Sequence, residues 1–195
     1  DKRIKIYINK KNLGAGPSRN KGIKLSKGNL IAFLDSDDLW SKNKLQKQIF
    51  FMKKNLADIS HTSYHIINSN NKIIGSRKAK DMTHNLLIKS CDIGLSTVML
   101  YKKIISNQTQ FANIKTKEDY VLWLKITLKN DKIYALQNKL TKWRKLDDSL
   151  SSSKLQKFHD GYLVYKKYMN FNFFKSFIYT VLLSLNYFIK NMKNK

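Results

Sequence analysis

The chain has 195 residues and a mass of 22.9 kDa, a size that favours one domain with at most a small appendage. Its 42 % of hydrophobic residues exclude disorder for most of the chain, and its single cysteine excludes a disulfide framework and a cysteine-rich zinc site. The formal net charge is +25, from 38 Lys and Arg against 13 Asp and Glu. Such a surface attracts nucleic acid, anionic lipid or an anionic substrate. Nucleic acid is the least favoured partner, because proteins that recognise nucleic acid prefer arginine and only four of the basic residues are arginines. We interpret most lysines as a solvated surface, with an anionic membrane surface as the second choice.

The N-terminal part of the chain alternates between strand and helix patterns. Residues 4–8 alternate apolar and polar side chains and predict a strand, and residues 12–17 form a glycine-rich turn. Ser18 is expected to cap a helix, and residues 30–34 form a continuous apolar run that is typical of a strand covered on both faces. A second helix is expected after Ser41. This alternation predicts an α/β fold with a mostly parallel sheet flanked by helices.

The middle of the chain is less regular. Glu118 and Asp119 open an amphipathic helical pattern. The patterns typical of strands are residues 59–67, 72–74, 95–101, 133–136 and 140–143.

The C-terminal part becomes aromatic and basic. Residues 176–189 carry no charge, but as a helix they would span only about 21 Å, short of the roughly 30 Å hydrocarbon core of a bilayer. A helix lying in a membrane interface and a helix packed on the domain or on a partner are equally supported. We therefore divide the chain into a domain of residues 1–150 and a helical, aromatic and basic extension of residues 151–195, for which membrane association is one of the two interpretations.

Three carboxylates, Asp35, Asp37 and Asp38, follow the buried apolar run within four residues. Oxygen-only ligands suit Mg²⁺ or Mn²⁺, which usually share their coordination with substrate phosphates. The alternative is a helix N-terminus, whose dipole favours acidic residues. From these residues alone, the two interpretations are equally supported.

The motifs around the acidic cluster resemble those of the inverting, nucleotide-sugar-dependent glycosyltransferases of family 2, which have the GT-A fold. Each motif is weak alone, but their order and spacing along residues 1–155 make the resemblance strong. The matching segments are Asn12–Gly14, Ser18–Gly22, Gly28–Trp40, Lys44 with Leu45, Ser96–Met99, Glu118–Trp123, and Trp143 with Arg144 followed by Ser149–Ser151.

The resemblance implies transfer of a sugar from a nucleoside diphosphate sugar to a glycan or lipid-linked acceptor, with inversion and with Mn²⁺ or Mg²⁺ as cofactor. Asp35 and Asp37 match the Asp-x-Asp pair, which touches the ribose side and the metal-bound diphosphate, and Asp38 is a second or alternative metal ligand. Asp119 matches the catalytic base, with Glu118 beside it as support or acceptor contact. Without the family pattern, we would interpret this last pair as ordinary acids of a first helical turn.

Four further substrate-binding residues follow from the same resemblance. Asn12 and Gly14 shape the turn that lets the backbone approach the nucleotide. Arg19 is expected to contact the base or the phosphates, the alternative being a surface arginine at the start of a helix. Arg144 belongs to the C-terminal signature.

Two departures from the family pattern affect these expectations. The chain begins at Asp1 without the upstream strand and Asp that hold the nucleotide base, which indicates an internal stretch or an N-terminally truncated product. Leu146 stands where the family often has a histidine, a candidate metal ligand. We therefore expect this chain alone to transfer sugar poorly or not at all.

The sequence thus predicts a glycosyltransferase of surface polysaccharide synthesis, cytoplasmic and peripheral at the inner face of the cell membrane. Two alternatives stay open. One is a basic nucleic-acid-binding module in which the acidic loop is incidental, and the other is an inactive glycosyltransferase fragment.

Overall fold

A computed structural model of the protein describes residues 1–130, 132–146 and 153–192. Its strands are β1 (Leu30–Ala32), β2 (Leu39–Trp40), β3 (Ile59–Ile67), β4 (Ile73–Arg77), β5 (Met82–Thr83), β6 (Met99–Tyr101) and β7 (Lys132–Arg144). Its α-helices are α1 (Ala15–Leu25), α2 (Lys44–Lys54), α3 (His84–Leu87), α4 (Glu118–Thr127), α5 (Lys154–Leu163) and α6 (Phe173–Met192). Short 3₁₀ turns cover Leu95–Thr97 and Lys102–Ile104, and a π-helical turn covers Val164–Tyr168.

The strands form a mixed sheet in the order β1-β6-β3-β7-β2, with β4 paired to β3 and β5 paired to β7. Helices flank this sheet, as the predicted α/β fold requires, but the strand directions differ from the expected mostly parallel pattern. Only β3 and β7 pair in parallel among the described pairings, and the others are antiparallel. Strand β6 lies between β1 and β3 and runs antiparallel to both, β4 follows β3 as the second strand of a hairpin, and β2 and β5 run antiparallel to β7. Strands β1 and β3, joined through α2, still point in the same direction.

The strand predicted at residues 4–8 is wrong. This segment forms no strand in the structure, and Ile4, Ile6 and Ile8 are 68 %, 83 % and 85 % exposed. A strand is stabilised by ladder hydrogen bonds to a neighbour and by a buried face. Alternation of side chains alone supplies neither.

The helix starts also differ from the predictions. Helix α1 begins at Ala15 with Gly14 as its N-cap, and Ser18 lies inside the first turns, where its hydroxyl donates to the Gly14 carbonyl at 2.7 Å. Helix α2 begins after Asn43 rather than after Ser41. The two strands predicted at residues 133–136 and 140–143 form the single long strand β7.

The core is built around α4, which is buried on nearly every side. Trp123 is fully buried and packs edge-to-face against Phe33 and Phe111, with ring centroids 6.3 and 6.2 Å apart. Aromatic pairs in this geometry stabilise a core beyond the area that they bury. The N-terminus of α4 is therefore held firmly next to the loop that follows β1.

Candidate active site

The acidic loop after β1 is fastened by the segment of Ser96. The Asp35 backbone N–H donates to the Ser96 hydroxyl at 3.0 Å, and the Trp40 indole donates to the Ser96 carbonyl at 2.7 Å. The Trp40 ring therefore packs against the side of the loop that faces the Ser96 segment. Sequence reasoning assigned no role to Ser96, although the residue lies in one of the quoted motifs.

Arg19, on α1, joins the acidic loop to the start of α4. Its guanidinium donates to the Asp35 carboxylate at 2.7 Å and to the Glu118 carboxylate, and it lies 5.7 Å from the centre of the Phe111 ring. Burial lowers the pKa of Arg19, but the two carboxylates outweigh it and leave the pKa raised. The guanidinium thus stays charged and holds Asp35 and Glu118 together, although they are distant in the sequence.

Asn20, the next residue on α1, was not assigned a role from the sequence. Its amide donates to the Phe111 carbonyl at 2.9 Å and accepts from the Phe111 N–H at 3.0 Å. This paired contact fixes the distance between α1 and the segment that precedes α4. Asn20 lies in the segment Ser18–Gly22 with Arg19, and its place in that segment could have identified it as a site residue from the sequence.

Asp119 lies in the first turn of α4 and is half-buried. Its carboxylate accepts the Tyr120 N–H at 2.7 Å. Burial raises the pKa of Asp119 to about 7, the negative charge of Glu118 adds to the rise, and Arg19 opposes it. A carboxylate that titrates near neutral pH is suited to accepting a proton.

Asp38 is buried, while Asp37 beside it is exposed. One Asp38 oxygen accepts the Arg144 N–H at 2.8 Å, and the other accepts no hydrogen bond from the described part of the chain. Burial raises the pKa of Asp38 to about 6, the Ser96 hydroxyl and the Arg144 N–H oppose the rise, and the charges of Asp37 and Asp35 add to it. A buried carboxylate oxygen without a donor is a group that a cation can satisfy, so the loop fits a divalent metal. Within residues 1–130, 132–146 and 153–192, no three His, Cys, Asp or Glu side chains already stand together as a metal site.

Arg144 was expected at the substrate, but the structure uses its side chain within the chain. It donates to the Asp37 carbonyl at 2.8 Å, to the Asn68 and Ser69 carbonyls at 2.9 and 3.1 Å, and to the Asn71 amide oxygen at 2.7 Å. These bonds tie the acidic loop to the turn between β3 and β4. Arg144 therefore positions the acidic loop by fixing it to that turn.

Asn12 and Gly14 form the turn before α1, as the sequence indicated. The Gly14 N–H donates to the Asn12 side-chain oxygen at 2.9 Å, and Gly14 has a φ of 78°. Glycine adopts this left-handed backbone without steric cost. The quoted segment Ser149–Ser151 lies outside the described residues.

We expect Arg19→Ala to lower the free energy of unfolding by about 1–3 kcal/mol, because the Asp35 and Glu118 carboxylates then lie together without the cation between them. The same change should raise the pKa of Asp119 further, since Arg19 lowers it. Urea denaturation and NMR titration of the Asp119 carboxyl measure the two effects.

Arg3→Ala is the matched control for this substitution, because the Arg3 side chain is 90 % exposed and pairs only locally with Asp1. An exposed ion pair contributes little to stability. Equal stabilities of the two variants would contradict the bridging role of Arg19.

Comparisons with known proteins show that the sequence of this chain is similar to those of glycosyltransferases. Residues 1–124 match the sequence profile of "Glycosyl transferase family 2". The chain is 42 % identical over 159 residues to Escherichia coli WfgD, named UDP-Glc:alpha-D-GlcNAc-diphosphoundecaprenol beta-1,3-glucosyltransferase, covering 80 % of this chain and 61 % of WfgD. It is 38 % identical over 133 residues to E. coli WfaP, whose name gives the same activity, covering 68 % of this chain and 52 % of WfaP.

A solved structure supports the fold. The crystal structure of S. aureus TarS 1-349 in complex with UDP-GlcNAc superposes with a TM-score of 0.60 and 21 % sequence identity, covering 78 % of this chain and 45 % of that one. This likeness confirms the predicted α/β, GT-A-like fold. The chain spans 61 % of the length of WfgD and 45 % of the TarS chain.

Proposed function

The chain belongs to glycosyl transferase family 2, and from that premise we propose that it transfers a sugar from a nucleoside diphosphate sugar to a glycan or lipid-linked acceptor, with inversion, in surface polysaccharide synthesis. WfgD and WfaP act, by their names, on a diphosphoundecaprenol-linked sugar with UDP-Glc as donor. An acceptor of that chemical class is therefore the one proposed here.

The observation that carries the proposal is the bridge of Arg19 between Asp35 and Glu118. It joins the acidic loop, which suits a diphosphate-binding role, to the first turn of α4, where Asp119 lies. Inverting transfer needs these two functions on opposite sides of the sugar, because the acceptor attacks from the face opposite the leaving diphosphate.

In the proposed step, the Asp119 carboxylate takes the proton of the acceptor hydroxyl as that oxygen bonds to the anomeric carbon of the sugar. The bond from this carbon to the diphosphate oxygen breaks, and the diphosphate leaves with the electron pair. Glu118, which pairs with Arg19, raises the proton affinity of Asp119. Asp119 is therefore the residue that we assign to the general base.

Asp37 and Asp38 would hold Mn²⁺ or Mg²⁺, since Asp37 is exposed at the loop and Asp38 has a buried oxygen without a donor among the described residues. When bound, this ion supplies charge neutralisation for the departing diphosphate. Asp35, held by Arg19, is proposed on the ribose side of the donor. Asn12 and Gly14 are proposed to bring the backbone close to the nucleotide.

The proposed acceptor would place the enzyme in the cytoplasm, peripheral at the inner face of the cell membrane. Within the described residues, no helix combines the length and the apolarity that a bilayer crossing requires. We also keep the expectation that the 195 residues alone turn over a donor slowly, because they span only 61 % of WfgD.

A ligand-protection experiment tests the donor site. UDP with Mn²⁺ should raise the thermal midpoint of the chain, because a ligand that binds only the folded state at 100 times its Kd stabilises it by about 2.7 kcal/mol. Asp37→Ala should abolish the rise, whereas Asp58→Ala, which removes a carboxylate paired with Lys103 outside the loop, should keep it.

The alternative of a nucleic-acid-binding module predicts the opposite pattern. It requires no protection by UDP and Mn²⁺, together with salt-sensitive binding of a polynucleotide that Asp37→Ala leaves unchanged. That combination of results would overturn the donor-site proposal.

A further inference from the structure

Helix α6 packs on the protein with its more polar side and turns its apolar side outward. Successive residues of an α-helix are 100° apart, so the exposed apolar residues of α6 fall on one continuous side. We call this side the outer face of α6. Its exposed members are Phe174, Phe177, Ile178, Leu182, Leu185, Phe188, Ile189 and Met192.

The opposite side of α6 makes the contacts with the rest of the chain. Ser176, Thr180 and Leu183 are buried there. The Asn186 amide donates to the Lys89 carbonyl at 2.9 Å, and the Lys190 ammonium donates to Ser90 and pairs with Asp92. These specific polar bonds fix the orientation of the helix. The outer face is therefore held outward by the fold.

The apolar surface extends beyond α6 onto α5. Phe158 of α5 meets Phe177 edge-to-face at 6.5 Å, and both rings are partly exposed. Leu155, one turn earlier on α5, is 86 % exposed. Large contiguous apolar patches on soluble proteins mark sites of interaction.

We propose that the outer face of α6 binds the surface of an anionic lipid bilayer, with the helix lying in the plane of the interface. The charge of this part of the chain favours that partner. Residues 161–195 contain six lysines and no Asp or Glu. Basic residues combined with an exposed apolar helical face are the features of helices that bind anionic membrane surfaces.

A second copy of the chain is the weaker candidate for the outer face. Each copy carries a formal charge of +25, so two copies repel one another. No described helix is apolar and long enough to cross a bilayer.

Vesicle co-sedimentation tests this proposal with the full chain. The chain should bind vesicles of phosphatidylglycerol and phosphatidylethanolamine, and it should bind phosphatidylcholine vesicles more weakly. The combined variant Phe174→Ser, Leu185→Ser and Phe188→Ser should weaken binding by about tenfold or more, since each buried methylene contributes to interfacial affinity. The matched control carries three comparably exposed apolar-to-Ser changes outside α6, namely Phe50→Ser, Ile73→Ser and Leu128→Ser, and should bind as the unsubstituted chain does.

Circular dichroism checks that all the variants fold. Lys166→Glu with Lys175→Glu provides a second variant that should weaken binding because it reverses two positive charges. Three results would each overturn the proposal: no binding of the unsubstituted chain to anionic vesicles, equal losses in the outer-face variant and its control, or a dimer in sedimentation equilibrium that the outer-face variant abolishes. The proposal deepens the peripheral location proposed above. Because the assay contains neither donor nor acceptor, its failure would leave the transfer reaction untouched.

Discussion

Asp119→Asn is expected to lower kcat/KM for sugar transfer by about 10²- to 10⁴-fold, the usual contribution of a positioned general base. The amide cannot accept the proton of the acceptor hydroxyl. Its oxygen can still accept the Tyr120 N–H that Asp119 accepts at 2.7 Å, so the first turn of α4 should be preserved. The loss should therefore appear in the chemical step, with little change in donor binding.

Single-turnover kinetics with a nucleotide-sugar donor and a lipid-linked acceptor measure this loss. The ratio is taken with the 195-residue chain at enzyme concentrations above that of the donor, so that slow turnover does not hide the effect. Asp81→Asn is the control, because Asp81 pairs with Lys132 and the Ala135 N–H away from the candidate site. Turnover of Asp119→Asn within a few-fold of the unsubstituted protein would remove Asp119 from the role of base.

The pH dependence follows from the same residue. Because the pKa of Asp119 is raised to about 7, the carboxyl is protonated below that pH and cannot act as a base. The rate should therefore rise with pH through about 7 and then level off. Stability should show the opposite trend: the folded state holds this proton more tightly than the unfolded state, so the free energy of unfolding falls as pH rises between about 4 and 7. Asp119→Asn should remove the pH dependence of the rate and reduce that of the stability, the remainder coming from Asp38, whose pKa is also raised, to about 6.

The local elements of the site were predictable from the sequence. A continuous apolar run that ends in Asp35 indicates a strand with a polar loop at its end, and β1 with the acidic loop confirms the strand and the loop. The expected burial on both faces is wrong, because β1 lies at the edge of the described sheet, only Ile31 of β1 is buried and Leu34 is 48 % exposed. Glu118 and Asp119 stand in the first turn of α4, where the helical pattern starts. Both predictions depend on neighbours in the sequence and on helix or strand periodicity, which a single sequence contains.

The long-range features were not predictable from such patterns. The insertion of β6 between β1 and β3 depends on pairing between segments that are distant in the chain. The bonds of Arg144 to the turn between β3 and β4 depend on the same sheet order. The outward orientation of the apolar side of α6 is likewise a tertiary choice, because periodicity identifies an apolar side without indicating what it faces.

The role of Gly16 was also not predictable from the sequence, because it depends on the close packing that a residue without a Cβ atom allows. The sequence suggested that it belongs to a turn with unusual backbone angles, but Gly16 lies inside α1 and is buried. A Cβ atom at Gly16 would lie 2.2 Å from the Ala112 carbonyl oxygen and 3.3 Å from the Cβ of Glu118. Glycine at this position lets α1 approach α4 closely enough for Arg19 to reach Glu118.

We expect Gly16→Ala to lower the free energy of unfolding by about 3 kcal/mol or more, since a backbone carbonyl must move to admit the methyl group. Gly22→Ala on the same helix is the matched control, because a Cβ there meets nothing within 4 Å and alanine favours the helix by about 0.8–1 kcal/mol. Urea denaturation of the two variants should thus give changes of opposite sign. If Gly16→Ala folds, the displaced α1 should also weaken the protection that UDP and Mn²⁺ give, because Arg19 can no longer hold Asp35 and Glu118 together. Unchanged stability of Gly16→Ala would show that α1 and α4 are not packed as closely as the structure has them, and the bridge that supports the proposed reaction would lose its basis.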